Sequence, residues 1–175
     1  ASEQLQAMAE GGALDGLIEQ AEGAGAASAV NPADGMLAPG AQTRITKLKT
    51  RHNSRLSVLA MVLPTNDGFV GLDSWVIPKR KGRYTLYLNA YDAGTEINDE
   101  VITGGGAPGV AGIPADPGGN SGTGASGVAT MEENAKVHIH RGVIGDRDRD
   151  GGTSDLDDRV HPWLNPVAKV VVWVK

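Results

Sequence analysis

The sequence predicts a mainly β fold built on an antiparallel meander, and three observations carry that prediction. Between Arg55 and Glu96, three apolar runs rich in β-branched and aromatic residues succeed one another, each closed by a turn signal. The chain ends on a further apolar run, NPVAKVVVWV. Its 25 Gly and 9 Pro mark the connecting segments as long loops.

The elements follow in chain order. Residues 2 to 22 read as helical, with Ser2 as a cap and Leu5, Met8 and Ala9 on one stripe that Leu14, Leu17, Ile18 and Ala21 continue. Gly11-Gly12 is expected to split this lead-in into two helices. Residues 23 to 40 are small-residue loop around a PADG turn. From Gln42, TRITKLKT sets Ile45 and Leu48 against Lys and Arg, the pattern of a strand with one wet face. Leu56 to Leu63 is a nearly continuous apolar run bounded by Pro64 and Asn66, which predicts a strand buried on both faces. Phe69 to Ile77 makes the second strand, KRKGR the turn, and YTLYLNAY the third. Residues 102 to 127 are loop; GGGAPG has no following Lys-Ser/Thr and opens no helix, so it is not a phosphate loop. KVHIHRG reads as a short strand and HPWLNPVAKVVVWVK as the closing, central one.

At 175 residues the chain is expected to form a single domain with a real core. Only seven residues are aromatic (Phe69, three Tyr, three Trp), so that core is aliphatic and the few aromatics are expected inside it. A net charge of −5, with KRKGR as an isolated basic turn, argues against a nucleic-acid surface. Without Cys there is no disulfide, thiolate site or cysteine nucleophile, and no apolar run has the length of a membrane span. The chain opens on Ala1, as a mature product or a fragment would.

The meander has a chemical consequence. If its first strand runs up and its second down, the loops after Leu63 and after Tyr91 share one end, which gathers Asp67, Asp92 and Glu96. Converging carboxylates repel unless a cation neutralises them, and hard oxygen donors beside loop carbonyls suit Ca²⁺. The competing reading is of two turn-forming Asp residues and a solvated Glu.

A second acidic group, GDRDRDGGTSDLDD, places Asp146, Asp148, Asp150, Gly151 and Asp157 at the spacing of a calcium loop, with Asp where the EF-hand has Glu. It follows a strand rather than a helix, and an acidic solvent loop balanced by Arg is the alternative. On the KVHIHRG strand, His138 and His140 share one face and Val137 and Ile139 the other. With His161 or His52 they form a candidate copper or zinc site, against which stands the reading of hydrogen-bonded strand residues. Hydrolase chemistry has no support: no G-x-S-x-G elbow occurs, and a glycosidase use of Asp67 and Asp92 needs a groove with exposed aromatics.

TRHNSRLSVLAMVLPTNDGFVGLDSW followed by AYDAGTE resembles the spondin domain of F-spondin and of many bacterial secreted proteins. The shared signatures are T-R-H before the first strand, P-x-x-D-x-x-V-G-L after it, the D-A-G-T-[DE] turn and the closing NPVAKVVVWV. The resemblance covers about residues 42 to 100 and the final ten. It implies a C2-like antiparallel β-sandwich over residues 42 to 175 that binds calcium at one end through Asp67, Asp92 and Glu96, with Glu96 standing where animal members carry Asp. It also implies a strand upstream of the helices. The function expected is that of a secreted, periplasmic or cell-surface binding module, not an enzyme. Its partner would be an extracellular protein, a matrix component or a second copy.

Overall fold

The structure is a computed structural model and describes residues 1–26, 28–29, 35–46, 48, 50, 55–129 and 136–175. Among these, two helices, α1 (Glu3–Gly11) and α2 (Asp15–Gly23), precede five strands: β1 (Arg55–Met61), β2 (Gly68–Val76), β3 (Gly82–Asp92), β4 (His138–Ile139) and β5 (Ala168–Val174). The chain is therefore mainly β, with an antiparallel five-stranded sheet.

The helical lead-in divides where the glycines stand. Ser2 Oγ accepts the Leu5 N–H at 3.2 Å, and Gly12 ends α1 at φ 72°, a left-handed conformation that a Cβ would penalise. Helix α1 then lays Met8 and Ala9, both fully buried, against Phe69 and Ala93, with Leu5, Leu14, Leu17, Met61 and Tyr91 around them. Burying a side chain such as Met8 or Phe69 contributes about 1.5–3 kcal/mol. This small core lies at the Met61–Phe69 end of the sheet, next to the acidic loops.

Strands β1 to β3 form the expected meander. β1 pairs with β2 from Arg55↔Val76 to Met61↔Phe69. β2 pairs with β3 only over Gly68↔Asp92 to Gly71↔Asn89, and β4 adds Asp92↔His138 on the far side. The first half of β3 departs from β2 and pairs with β5, from Gly82↔Val174 to Leu88↔Ala168. One long strand thus serves two ladders.

Several expectations give way. β1 is not buried on both faces but is made of exposed and half-buried residues, because among the described residues it pairs with β2 alone and stands at the sheet edge. β5 is likewise an edge among the described residues, pairing only with β3. The described residues of TRITKLKT form no strand, and KVHIHRG is a strand only over His138–Ile139. The aromatics are not all inside: Tyr87 is 69% and Trp173 64% exposed. Among the described residues no helix is long and apolar enough to cross a membrane.

Candidate metal centre

Asp67 ends the β1–β2 loop and Asp92 ends β3, and the register Gly68↔Asp92 sets the two side by side. The turn after β3 folds back onto the first loop: the Ala93 N–H donates to the Asp67 carbonyl at 3.2 Å. Asp67 and Asp92 are fully buried and Glu96 is nearly so. The turn is a cradle for Asp67, whose Oδ2 accepts the Thr95 N–H at 2.8 Å, the Thr95 hydroxyl at 3.1 Å and the Glu96 N–H at 3.1 Å. Its other oxygen, Oδ1, is buried and accepts no hydrogen bond among the described residues. A buried acceptor left unmade costs about 1–3 kcal/mol, more when charged.

Amides hold the other carboxylates. Asp92 Oδ1 accepts the Gly94 N–H at 2.7 Å, and its Oδ2 accepts from the Asn98 side-chain amide. Glu96 Oε2 accepts the Gly112 N–H at 3.0 Å and the Asn66 amide at 3.4 Å. Glu10 reaches in from α1 to accept the Gly109 N–H at 2.6 Å. No Lys or Arg among the described residues pairs with Asp67 or Asp92; the basic group nearest Asp92 is His138, with Nδ1 at 3.8 Å.

The electrostatics follow from that lack. Burial pushes the Asp67 carboxyl above its usual range, helped by the Asp92 charge and opposed by the Thr95 N–H. Burial, with the charges of Glu10 and Asp67 added, pushes Glu96 up to about 7 against the Gly112 hydrogen bond. Among the described residues no three Asp, Glu or His side chains have their ligating atoms gathered round one point. The donor set nevertheless suits a hard cation: three carboxylates, the side-chain oxygens of Asn66 and Asn98, and one Asp67 oxygen without a donor.

The second acidic loop is arranged differently. A backbone bridge joins Asp146 to Asp157, so the first and twelfth positions do meet. Asp146 Oδ1 accepts the Asp148 N–H at 2.9 Å, and Oδ2 accepts those of Thr153 at 2.7 Å and Ser154 at 2.9 Å. Asp148 caps Asp150 in the same way at 3.0 Å. Asp157 is held at both oxygens by the Arg159 guanidinium. These bonds lower Asp146, chiefly through the Ser154 N–H, and hold Asp157 far below the usual carboxylate range through Arg159. The loop borders an open groove of about 400 Å³ that Asp116, Asp155 and His161 also line.

The imidazoles stand in separate settings. His138 is exposed, with Nδ1 at 3.0 Å from the Lys136 carbonyl. His140 is buried against the Trp163 ring, and its Nδ1 accepts the Gly142 N–H at 2.9 Å. His161 Nδ1 accepts the Asp157 N–H at 2.8 Å, and its Nε2 faces Asp116 at 3.7 Å. His52 lies outside the described residues.

Sequence reasoning missed Glu10, Asn66, Asn98 and Glu100. Asn66 adjoins Asp67 and Asn98 lies two residues after Glu96, and no motif marks either as a ligand. Glu100 is buried and accepts the Ile144 N–H at 2.7 Å, the Gly145 N–H at 2.8 Å and the Ser154 hydroxyl at 2.7 Å, tying the second loop to the segment after β3. No family model matches the chain, and no curated protein or solved structure matches it significantly.

Proposed function

We propose that the chain is a calcium-binding β-sandwich module of the C2-like, spondin type, secreted or displayed at a cell surface. It would bind an extracellular protein, a matrix component or a second copy, and would carry out no catalysis. The observation that carries the calcium reading is the Asp67 carboxylate: fully buried, with one oxygen lacking a hydrogen-bond donor, beside Asp92 and Glu96. The spondin-like motifs fall on the same three residues. Asp67, Asp92 and Glu96 would hold the ion, with Asn66 and Asn98 turning amide oxygens in place of the N–H groups they now offer. The cation would supply the positive charge that no described Lys or Arg gives Asp67 or Asp92 by direct pairing. A copper or zinc site draws support only from exposed His138 beside Asp92, since His140 and His161 each engage Nδ1 with a backbone N–H.

The test is calorimetric titration of calcium into chelator-treated protein, repeated on Asp67→Asn. A site present in the parent and missing from the variant is the expected result. Flat heats with the parent protein would overturn the reading.

A further inference from the structure

The end of the sheet opposite the carboxylates carries the opposite charge. β3 spans eleven residues from Gly82 to Asp92, so its two ends stand roughly 33 Å apart. At the Gly82 end, Lys79, Arg80 and Lys81 form the β2–β3 turn, and Lys175 follows Val174, the partner of Gly82. Arg83 and Lys169 lie further along the ladder. All six are exposed, and none forms an ion pair among the described residues, although every one sits in a chain of net charge −5. KRKGR is therefore not an isolated turn: the β3–β5 pairing brings Lys175, which follows β5, to it from the other end of the chain.

Two aromatic rings stand in the same surface. The register pairs Arg83 with Trp173, Thr85 with Val171 and Tyr87 with Lys169, and alternation places these six residues on one face. Trp173 is 64% and Tyr87 69% exposed, whereas Tyr84, Leu86 and Leu88, on the other face, are half-buried or buried. The Arg83 guanidinium lies over the Trp173 ring at 5.8 Å, which fixes a cation at the edge of a flat apolar plate. Trp173 pairs with Arg83, four residues from Tyr87, a separation of roughly 13 Å along the ladder.

We propose that this face binds an acidic polysaccharide. The C–H faces of successive sugar rings stack on Trp173 and Tyr87, and the carboxylate or sulfate groups between them meet Arg83, Lys169 and the basic turn. The spacing of the rings suits an oligosaccharide rather than a single sugar. An acidic peptide would add to the open edge of β5 through its backbone and leave both exposed rings unused. Double-stranded DNA presents a denser line of charge, one per about 1.7 Å, which the acidic remainder of the chain opposes. The site stands at the opposite end of β3 from the calcium centre proposed above and does not depend on it.

The experiment measures binding to a heparin-derived oligosaccharide and to an oligogalacturonate, with chelator present throughout and neutral dextran as blank. Single-stranded DNA and a polyglutamate peptide are run beside them. Binding to either acidic sugar is expected, the better of the two identifying sulfate or carboxylate as the group read. The triple change Lys79→Gln, Arg80→Gln, Lys81→Gln should weaken it at least about tenfold and flatten its salt dependence, because fewer counterions are released. Trp173→Ala should weaken it several-fold at unchanged salt slope, with Tyr87→Ala as the second probe should that variant fail to fold. No binding to either sugar, binding indifferent to both sets of changes, or DNA or polyglutamate bound as tightly as the sugars would overturn the proposal.

Discussion

The carboxylates of the β1–β2 and β3 loops and those of the 146–157 loop are chemically the same groups in opposite circumstances. Asp67 and Asp92 are fully buried, no Lys or Arg among the described residues pairs with them, and Asp67 keeps one oxygen without a donor. Asp146 and Asp157 face solvent more, and each is satisfied locally, by the loop's own N–H groups or by Arg159. Burial raises Asp67 and Glu96, whereas hydrogen bonding lowers Asp146 and Asp157. The better calcium spelling, D-x-D-x-D-G, thus belongs to the loop with less need of a cation. Spacing shows where ligands could converge; neutralisation shows where an ion would do most for the fold.

The largest expected effect breaks the comparison at Asp67. Calcium at a thousandfold excess over its Kd stabilises a protein by about 4 kcal/mol, which for a domain of this size is a rise in Tm of roughly 8–16 °C. Asp67→Asn should abolish that rise, because the amide keeps an acceptor for Thr95 but loses the charge. In chelator the same variant should melt no lower than the parent, since it removes a buried, uncompensated carboxylate. Thermal melts in calcium and in chelator check both statements. A variant that still gains the full rise would mean that the second loop carries the calcium effect.

The next effect is in pH and again has opposite signs at the two places. Glu96 is raised from 4.5 to about 7 in the fold, so the folded state holds a proton that the unfolded chain releases. Its contribution is fully present below pH 4.5 and is lost as pH rises through about 7, at most about 3 kcal/mol. Chelated protein should therefore melt lower at pH 8 than at pH 5.5, and Glu96→Gln should flatten that slope. The lowered Asp146 and Asp157 work the other way: their contribution is present above the ordinary carboxylate range and is lost as pH falls through their lowered values. A chelated Tm that climbs steadily from pH 5.5 to 8 would contradict the assignment of Glu96.

How much of this was legible in the sequence follows from how far apart the interacting residues lie. A meander is a local object, so the three apolar runs and their turns were enough to bring Asp67, Asp92 and Glu96 to one end. Gly11-Gly12 likewise announced the helix break on its own. Glu10 could not be found that way, since its partner Gly109 is 99 residues distant. Nor could the burial of β1 and β5, because an apolar run records a preference for leaving water and not which neighbours are present to cover it. The exposed Trp173 and Tyr87 have the same origin: before Asn89, β3 pairs with β5 and not with β2, a division of the strand that no local pattern encodes.

A smaller effect sharpens the comparison at the second loop. Asp148→Asn with Asp150→Asn should remove calcium-dependent chemical-shift changes within residues 146–157 and leave those of Asp67, Asp92 and Glu96 intact, because the two places share no ligand. The Tm should move by less than about 3 °C. Simultaneous loss of calcium-dependent shifts at both places would show that they titrate as one unit.

The smallest expected change in stability comes from Arg159, and it discriminates best between spacing and neutralisation. Arg159 holds both oxygens of Asp157, the residue at the twelfth position of the calcium spelling, so guanidinium and cation compete for one carboxylate. Both partners are substantially exposed, and surface pairs of this kind add little to stability. Arg159→Gln should therefore leave Tm within about 2 °C of the parent while releasing Asp157 as a ligand. If the spacing is otherwise competent, calcium affinity at this loop rises several-fold and the Asp67 site is untouched, which calorimetry on the Asp67→Asn background reads directly. If affinity stays the same, the closed Asp146 hydrogen-bond set and not the arginine keeps the ion out. The loop is then a structural clasp, tied to the segment after β3 through Glu100, that only spells a calcium site.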